Sequence, residues 1–209
     1  MLRDLTISEF GKVLASNSPA PGGGSVAALS GMLGANLVAM VCRLTIGKKG
    51  LEEHQEQVSV VLEQADRLGE SLLERIDLDT EAFNEVMAGF KLPKETDAEK
   101  AARTTAIQQG YKNAIQSPQG IARECLEVLQ LAERLLGKSN TNALSDLGVA
   151  GQQAFAGLRG ALMNVRINLP SIKDDDFVRN TTEESKTLLR RGEEIAGRIY
   201  SSVSSSLGG

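Results

Sequence analysis

The sequence predicts an all-α fold: a bundle of about six helices, several of them long and antiparallel, forming a homodimer. Three observations carry this expectation. Apolar residues recur in alternating steps of three and four along most of the 209 residues. No run alternates apolar and polar residues with the period of two that a half-buried strand requires. Small residues, among them 21 Gly, recur at every fourth position on helical segments, so helices are expected to meet at close range both within and between subunits. Hydrophobic residues at 41% and charged residues at 24% describe a globular chain, and residues 1–209 are read as one domain. The core must be aliphatic, since aromatics make up 3% and Trp is absent.

Leu5, Phe10, Val13 and Leu14 mark a short amphipathic helix, ended by residues 16–21 because Pro19 and Pro21 cannot continue it. Gly22, Gly23, Gly24 and Ser25 follow, with Ser25 the expected N-cap of a helix reaching about Ile46. Along it Ala27, Gly31, Ala35 and Ala39 form a stripe almost without bulk, against which another helix should pack. Residues 20–42 carry no charge, yet five Gly, two Ser, an Asn and a Pro mark a buried helix rather than a membrane span. Residues 1–9 lack the basic region and apolar block of a signal peptide, so no membrane partner is expected.

Gly47, Lys48, Lys49 and Gly50 form a turn, and residues 51–90 read as one long helix. Val58, Val61, Ala65, Leu68, Leu72, Ile76, Phe83, Val86 and Phe90 trace a single face of it. Continuing that step from Ile76 lands on Asp79 before Phe83, so a carboxylate stands where a core residue belongs. Leu92 and Pro93 close the helix. The charged residues 94–103 lead into another that reaches about Leu136, interrupted or kinked near Pro118, with Ile107, Tyr111, Ile115, Ile121, Cys125 and Leu129 as its apolar set. Residues 140–169 form the next, with Leu144, Leu147, Gly151, Ala154 and Leu158 on one face and Asp146, Ala150, Gln153, Gly157 and Asn164 on its neighbour. Pro170 ends it, and a last amphipathic helix over about 174–200 precedes a frayed Ser/Gly tail.

A formal net charge of -4 argues against a nucleic-acid partner. Cys42 and Cys125 read as reduced core thiols of a cytoplasmic protein. Asp79 is the sharpest chemical clue, because an unpaired buried carboxylate costs several kcal/mol. It is either held by a structural ion pair or a buried hydrogen bond, or it is a ligand-facing group. Asp146 lies one turn beyond Asn142, and the two either face a cleft or form an exposed first turn. The glycine run either holds an anion on backbone amides or permits a tight turn. Arg43, Lys48 and Lys49 are either solvated cap charges or a pull on a carboxylate-bearing substrate. His54 is the one histidine and sits in a polar run, so neither a zinc cage nor a Ser-His-Asp triad can be assembled and no metal is expected. Any catalysis falls to carboxylate, lysine, amides and water.

Five blocks together resemble the cyclodeaminase/cyclohydrolase family, which includes methenyltetrahydrofolate cyclohydrolases and the cyclodeaminase part of formimidoyltransferase-cyclodeaminase. They are PAPGGGS at 19–25, MVCRLTIGKK at 40–49, DTEAF at 79–83 through Leu92 and Pro93, NTNALSDLGVA at 140–150, and NVRINL at 164–169. The resemblance spans most of the chain and implies an all-helical homodimer, with each cleft near the subunit boundary. It is closer to the stand-alone cyclohydrolases, which carry segments like Thr45 to Lys49 and Glu99 to Arg103. Gly50 and Leu51 depart from an aromatic residue frequent after the two lysines, and Ser139 replaces a common glycine.

The implied activity is hydrolysis of 5,10-methenyltetrahydrofolate to 10-formyltetrahydrofolate, with no tightly bound cofactor. The alternatives are formimidoyltetrahydrofolate cyclodeamination with release of ammonia, and a non-catalytic folate-binding module. The resemblance implies that Asp79 and Asp146 line the site, one as base or electrostatic partner, with Lys49 as proton donor. Arg43, Lys48 and Lys49 would hold the glutamate tail, and Gly22, Gly23, Gly24 and Ser25 would admit the flat ligand near backbone. Thr45 and Asn142 complete the expected binding set.

Overall fold

A computed structural model describes residues 1–208. Six α-helices make up the bundle: α1 (Ile7–Leu14), α2 (Gly23–Arg43), α3 (Gln55–Phe90), α4 (Asp97–Arg134), α5 (Leu144–Asn168) and α6 (Asp175–Ser206), with no strand among the described residues. Local chemistry sets most boundaries. Thr6 with Glu9, and Thr96 with Glu99, form reciprocal capping boxes at the starts of α1 and α4, and Asp174 accepts from the Phe177 amide to start α6.

Three expectations about these elements are corrected. The N-cap of α2 is Gly22, not Ser25, which is buried in the first turn with its Oγ donating to Ile76 O of α3 at 2.9 Å. The hydroxyl joins two helices instead of closing one. α4 runs through Pro118 as one helix, so the proline does not interrupt it. Proline has no N–H for the carbonyl four residues earlier, and that carbonyl, Ala114 O, lies 3.5 Å from Asn168 Nδ2 of α5. α6 continues to Ser206 where a frayed tail was expected, because Ile199 and Val203 are buried and hold its last turns against α5.

α2 lies against α3 on one side and α5 on the other, α4 closes the layer behind it, and α6 packs outside α4 and α5. α2 and α5 run antiparallel: Asn164 near the end of α5 stands over Gly23, and Asn140 before the start of α5 bonds Leu44 O. The small residues make this approach possible. A Cβ on Gly157 would lie 2.8 Å from Ala27 O, and one on Gly31 would lie 2.6 Å from Cys125 Sγ. The stripe expected to serve contacts between subunits is thus largely consumed inside one chain. α2 is long and apolar enough to cross a membrane, with mean hydropathy 1.8, but 56% of that window is buried in the bundle. The core is aliphatic as expected, centred on Leu72, Ile121, Leu129, Leu147 and Leu158, each contributing about 1.5–3 kcal/mol by burial. Cys42 and Cys125 are free and buried, and burial pushes the Cys42 thiol up to about 12.

Candidate functional site

α3 carries two acids two residues apart with different surroundings. Asp77 is buried, accepts from Leu2 N at 2.6 Å and lies 3.6 Å from Arg3 Nε, so it anchors the N-terminal segment. Asp79 has no ion-pair partner among the described residues. Its carboxylate presses on the first turn of α2, where a Cβ on Gly24 would fall 2.1 Å from Oδ1 and 2.4 Å from Oδ2. Burial raises its pKa above the ordinary carboxylate value, against the opposing pull of the Ser25 amide and hydroxyl. That hydroxyl already donates to Ile76 O, so its help is partial.

Asp79 opens into a 220 Å³ cavity between α3, α4 and α5. Phe83, Phe90 and Tyr111 line it, three of the seven Phe and Tyr residues in the chain. Phe90 and Tyr111 meet edge to face at 6.3 Å, and Phe90 is 43% exposed, which leaves its ring open to a ligand. Asn164 and Asn168 complete the polar lining. Asn164 Nδ2 donates to Gly160 O at 2.9 Å, and Asn168 Nδ2 to Asn164 O at 3.0 Å. Each amide spends an N–H on its own helix, and neither Oδ1 accepts a hydrogen bond within the described residues. With the Asp79 carboxylate, these two oxygens make the cavity rich in acceptors, beside an aromatic wall. That lining suits a flat, donor-rich or cationic ligand.

A larger 610 Å³ groove runs between α3 and α4, lined by side chains such as Arg67, Glu127 and Arg134, and contains none of the expected site residues. No cluster of metal-ligating side chains occurs among the described residues.

The structure divides the expected site. Gly22, Gly23, Gly24 and Ser25 stand beside the Asp79 cavity, as the first turn of α2 and the residue before it. Arg43, Thr45, Lys48, Lys49, Asn142 and Asp146 stand at the other end of α2, about 30 Å away for 21 helical residues. Several are occupied there. Arg43 Nη2 donates to both carboxylate oxygens of Asp66, at 3.0 and 2.8 Å. Thr45 is buried, donates to Val41 O at 2.7 Å and accepts from Asn140 N at 3.0 Å, so it fastens the end of α2 to the start of α5. Lys48 Nζ is bonded to Asn140 Oδ1. Lys49 is exposed and makes no ion pair or side-chain hydrogen bond among the described residues, Asn142 is exposed, and Asp146 is half-buried. Asp79 and Asp146 therefore do not line one cleft within one chain, because antiparallel α2 and α5 carry them to opposite ends.

Sequence reasoning placed Phe83, Phe90 and Tyr111 on apolar faces without recognising a cavity, and it left out Asn168. The signal was present: Asn164 and Asn168 are one helical turn apart, and Tyr111 brings a hydroxyl to a packed face.

Residues 6–187 match the family model described as Formiminotransferase-cyclodeaminase. The chain is 45% identical over 202 residues to the methenyltetrahydrofolate cyclohydrolase of Methylorubrum extorquens, covering 97% of each chain. It is 32% identical to the formimidoyltransferase-cyclodeaminase of Rattus norvegicus, of which it spans 37%. The solved structure of formiminotetrahydrofolate cyclodeaminase from Thermotoga maritima superposes with a TM-score of 0.84 at 28% identity, covering 100% of this chain and 98% of that one. Likeness along nearly the whole chain, in sequence and in three dimensions, leaves one conclusion: the chain belongs to the formiminotransferase-cyclodeaminase family.

Proposed function

We propose that this protein is a methenyltetrahydrofolate cyclohydrolase, converting 5,10-methenyltetrahydrofolate and water to 10-formyltetrahydrofolate. The observation that carries the reading is the unpaired Asp79 carboxylate in an acceptor-rich, aromatic-walled cavity. The 45% identity to a cyclohydrolase, against 32% to the rat formimidoyltransferase-cyclodeaminase and 28% to the Thermotoga maritima cyclodeaminase, supports it over cyclodeamination.

The bridging carbon of the substrate is a cationic amidinium. Asp79 stabilises that charge and orients the water, whose oxygen bonds to the carbon while a proton leaves. The remaining O–H then gives up its proton to form the formyl C=O as the bond from carbon to N5 breaks, N5 takes up a proton, and the formyl group stays on N10. Phe90 and Tyr111 flank the ring system, and the free Oδ1 atoms of Asn164 and Asn168 accept from its N–H groups. The 220 Å³ cavity takes the ring end and leaves the glutamate tail outside. Lys49 as proton donor and Asp146 as second acid belong to this mechanism only through a second copy, since both stand at the far end of α2 in their own chain. The proposed working form is therefore a cytoplasmic homodimer without a tightly bound cofactor.

Cyclodeamination, in which N10 attacks the formimino carbon and ammonia leaves, uses the same groups and is the second reading, favoured by the Thermotoga maritima likeness. Purified protein is offered each substrate in turn. Loss of methenyl absorbance without ammonia is the expected result. Formation of methenyl product with ammonia release would transfer the assignment to cyclodeaminase, and tight folate binding without either conversion would leave a binding module.

A further inference from the structure

On the cyclohydrolase reading the ring end of the substrate enters the Asp79 cavity, and its glutamate carboxylates lie outside, where a cation is needed to hold them. The cations expected for that task are elsewhere. Arg43, Lys48 and Lys49 stand about 30 Å from Asp79 along α2, with Arg43 held by Asp66 and Lys48 bonded to Asn140.

The mouth of the cavity holds a different cation. Asp79 and Phe90 are eleven residues apart on α3, three turns plus about 20°, so both lie on one face with about 16 Å between their levels. Phe90 lines the cavity, and Arg103 of α4 lies over its ring, with Cζ 5.5 Å from the ring centre. Arg103 Nη2 donates to Phe90 O at 3.3 Å, which fixes the guanidinium across the end of α3. That bond uses one of five N–H groups. Nε is buried without an acceptor, and no carboxylate pairs with Arg103 among the described residues. Neighbouring cations are neutralised, Lys100 by Asp97 at 3.1 Å and Lys112 by Asp174 at 2.7 Å. The Glu99 carboxylate, one turn before Arg103, is turned to the Glu95 and Thr96 amides.

The span suits the substrate. From the bridging carbon, through the aminobenzoyl ring, to the carboxylates of a single glutamate, ordinary bond lengths give about 10–13 Å. A guanidinium–carboxylate contact of about 3 Å supplies the remainder. We infer that Arg103 binds the first glutamate of the folate tail, and that Lys91 and Lys94, in the loop between α3 and α4, meet the carboxylates of further glutamates. The bond to Phe90 O and the contact with its ring hold the guanidinium in place before substrate arrives, so little side-chain freedom is lost on binding. Lys91 and Lys94 are exposed and set two positive charges against Glu95, the one acid of that loop. The subsite selects tailed folates over tail-less pterins and longer tails over shorter ones. It rests on the folate reading, and serves cyclohydrolase and cyclodeaminase alike because their substrates share the tail.

Binding is measured with 5-formyltetrahydrofolate, a reduced folate that neither reaction consumes, and with 5-formyltetrahydropteroate, which lacks the glutamate. Arg103→Gln is expected to weaken the first about 10- to 100-fold and the second by less than about 3-fold, with Arg103→Lys recovering part of the loss. Equal weakening of both ligands would reduce Arg103 to a support for Phe90 and overturn the subsite. Undiminished binding of the tailed ligand, or a wild type that binds the two ligands equally, would do the same. The triglutamate form is expected to bind wild type more tightly than the monoglutamate, and the double variant Lys91→Gln, Lys94→Gln to erase that gain. A gain that survives both substitutions would remove the lysines. Turnover judges the reaction separately: a wild type that converts neither folate, with tail-dependent binding lost in Arg103→Gln, would sink the cyclohydrolase reading and keep the subsite. A wild type that binds neither ligand would overturn both.

Discussion

The carboxylate of Asp79 occupies the space that a side chain at position 24 would need: a Cβ on Gly24 would stand 2.1 Å from its Oδ1, inside any tolerable contact. Glycine at 24 is required by this approach of side chain to backbone. Gly24→Ala is expected to keep the helical circular-dichroism spectrum while reducing kcat/KM by about 100-fold, the scale of a 1 Å misplacement of a reacting group. Wild-type kinetics in that variant would separate Asp79 from the chemistry.

Asp79 also sets a pH dependence. Its pKa is raised by burial, so the fold favours the protonated form. The stability associated with that proton is present at low pH and is lost as pH rises through the folded-state value. Turnover runs the other way, since the ionised form is the working one. Activity is expected to rise with pH through a titration lying above the ordinary carboxylate range. Asp79→Asn should remove that titration together with nearly all turnover, and should raise Tm at neutral pH relative to wild type, with the difference shrinking in acid. A variant less stable than wild type at neutral pH would contradict the sign.

The aromatic wall predicts a binding effect distinct from a chemical one. Phe90 is exposed at the rim and touches Tyr111 and Arg103. Phe90→Leu is expected to raise KM about 3- to 10-fold, the loss of one aromatic stacking contact, with kcat changed less. An unchanged KM would place the ring system elsewhere.

Two glycines should respond in opposite directions. A Cβ on Gly157 meets backbone, Ala27 O at 2.8 Å and Gly31 N at 3.0 Å, where neither helix can yield without separating from the other. Gly157→Ala is expected to cost about 1–3 kcal/mol. A Cβ on Gly197 in α6 meets nothing within 4 Å, and Gly197→Ala should stabilise by about 0.5–1 kcal/mol through helix propensity. Urea denaturation of both variants measures the contrast.

Much of this molecule was legible before its coordinates. The step of three and four along α3 put Asp79 on the inward stripe. The five blocks in order carried the family. Such features depend on neighbours within a turn or two of the same helix, where 3.6 residues per turn decides which side chains share a face. Periodicity says nothing of which helix end meets which. Only the tertiary structure showed Ser25 bonded to α3 instead of capping α2. It also showed Ala114 O, without its usual donor because of Pro118, beside Asn168. The parting of Asp79 from Lys49 and Asp146 has the same origin. α2 and α5 run in opposite directions, so residues that read as one site are carried about 30 Å apart, and the direction of a neighbouring helix is a property of packing between segments that no local pattern contains.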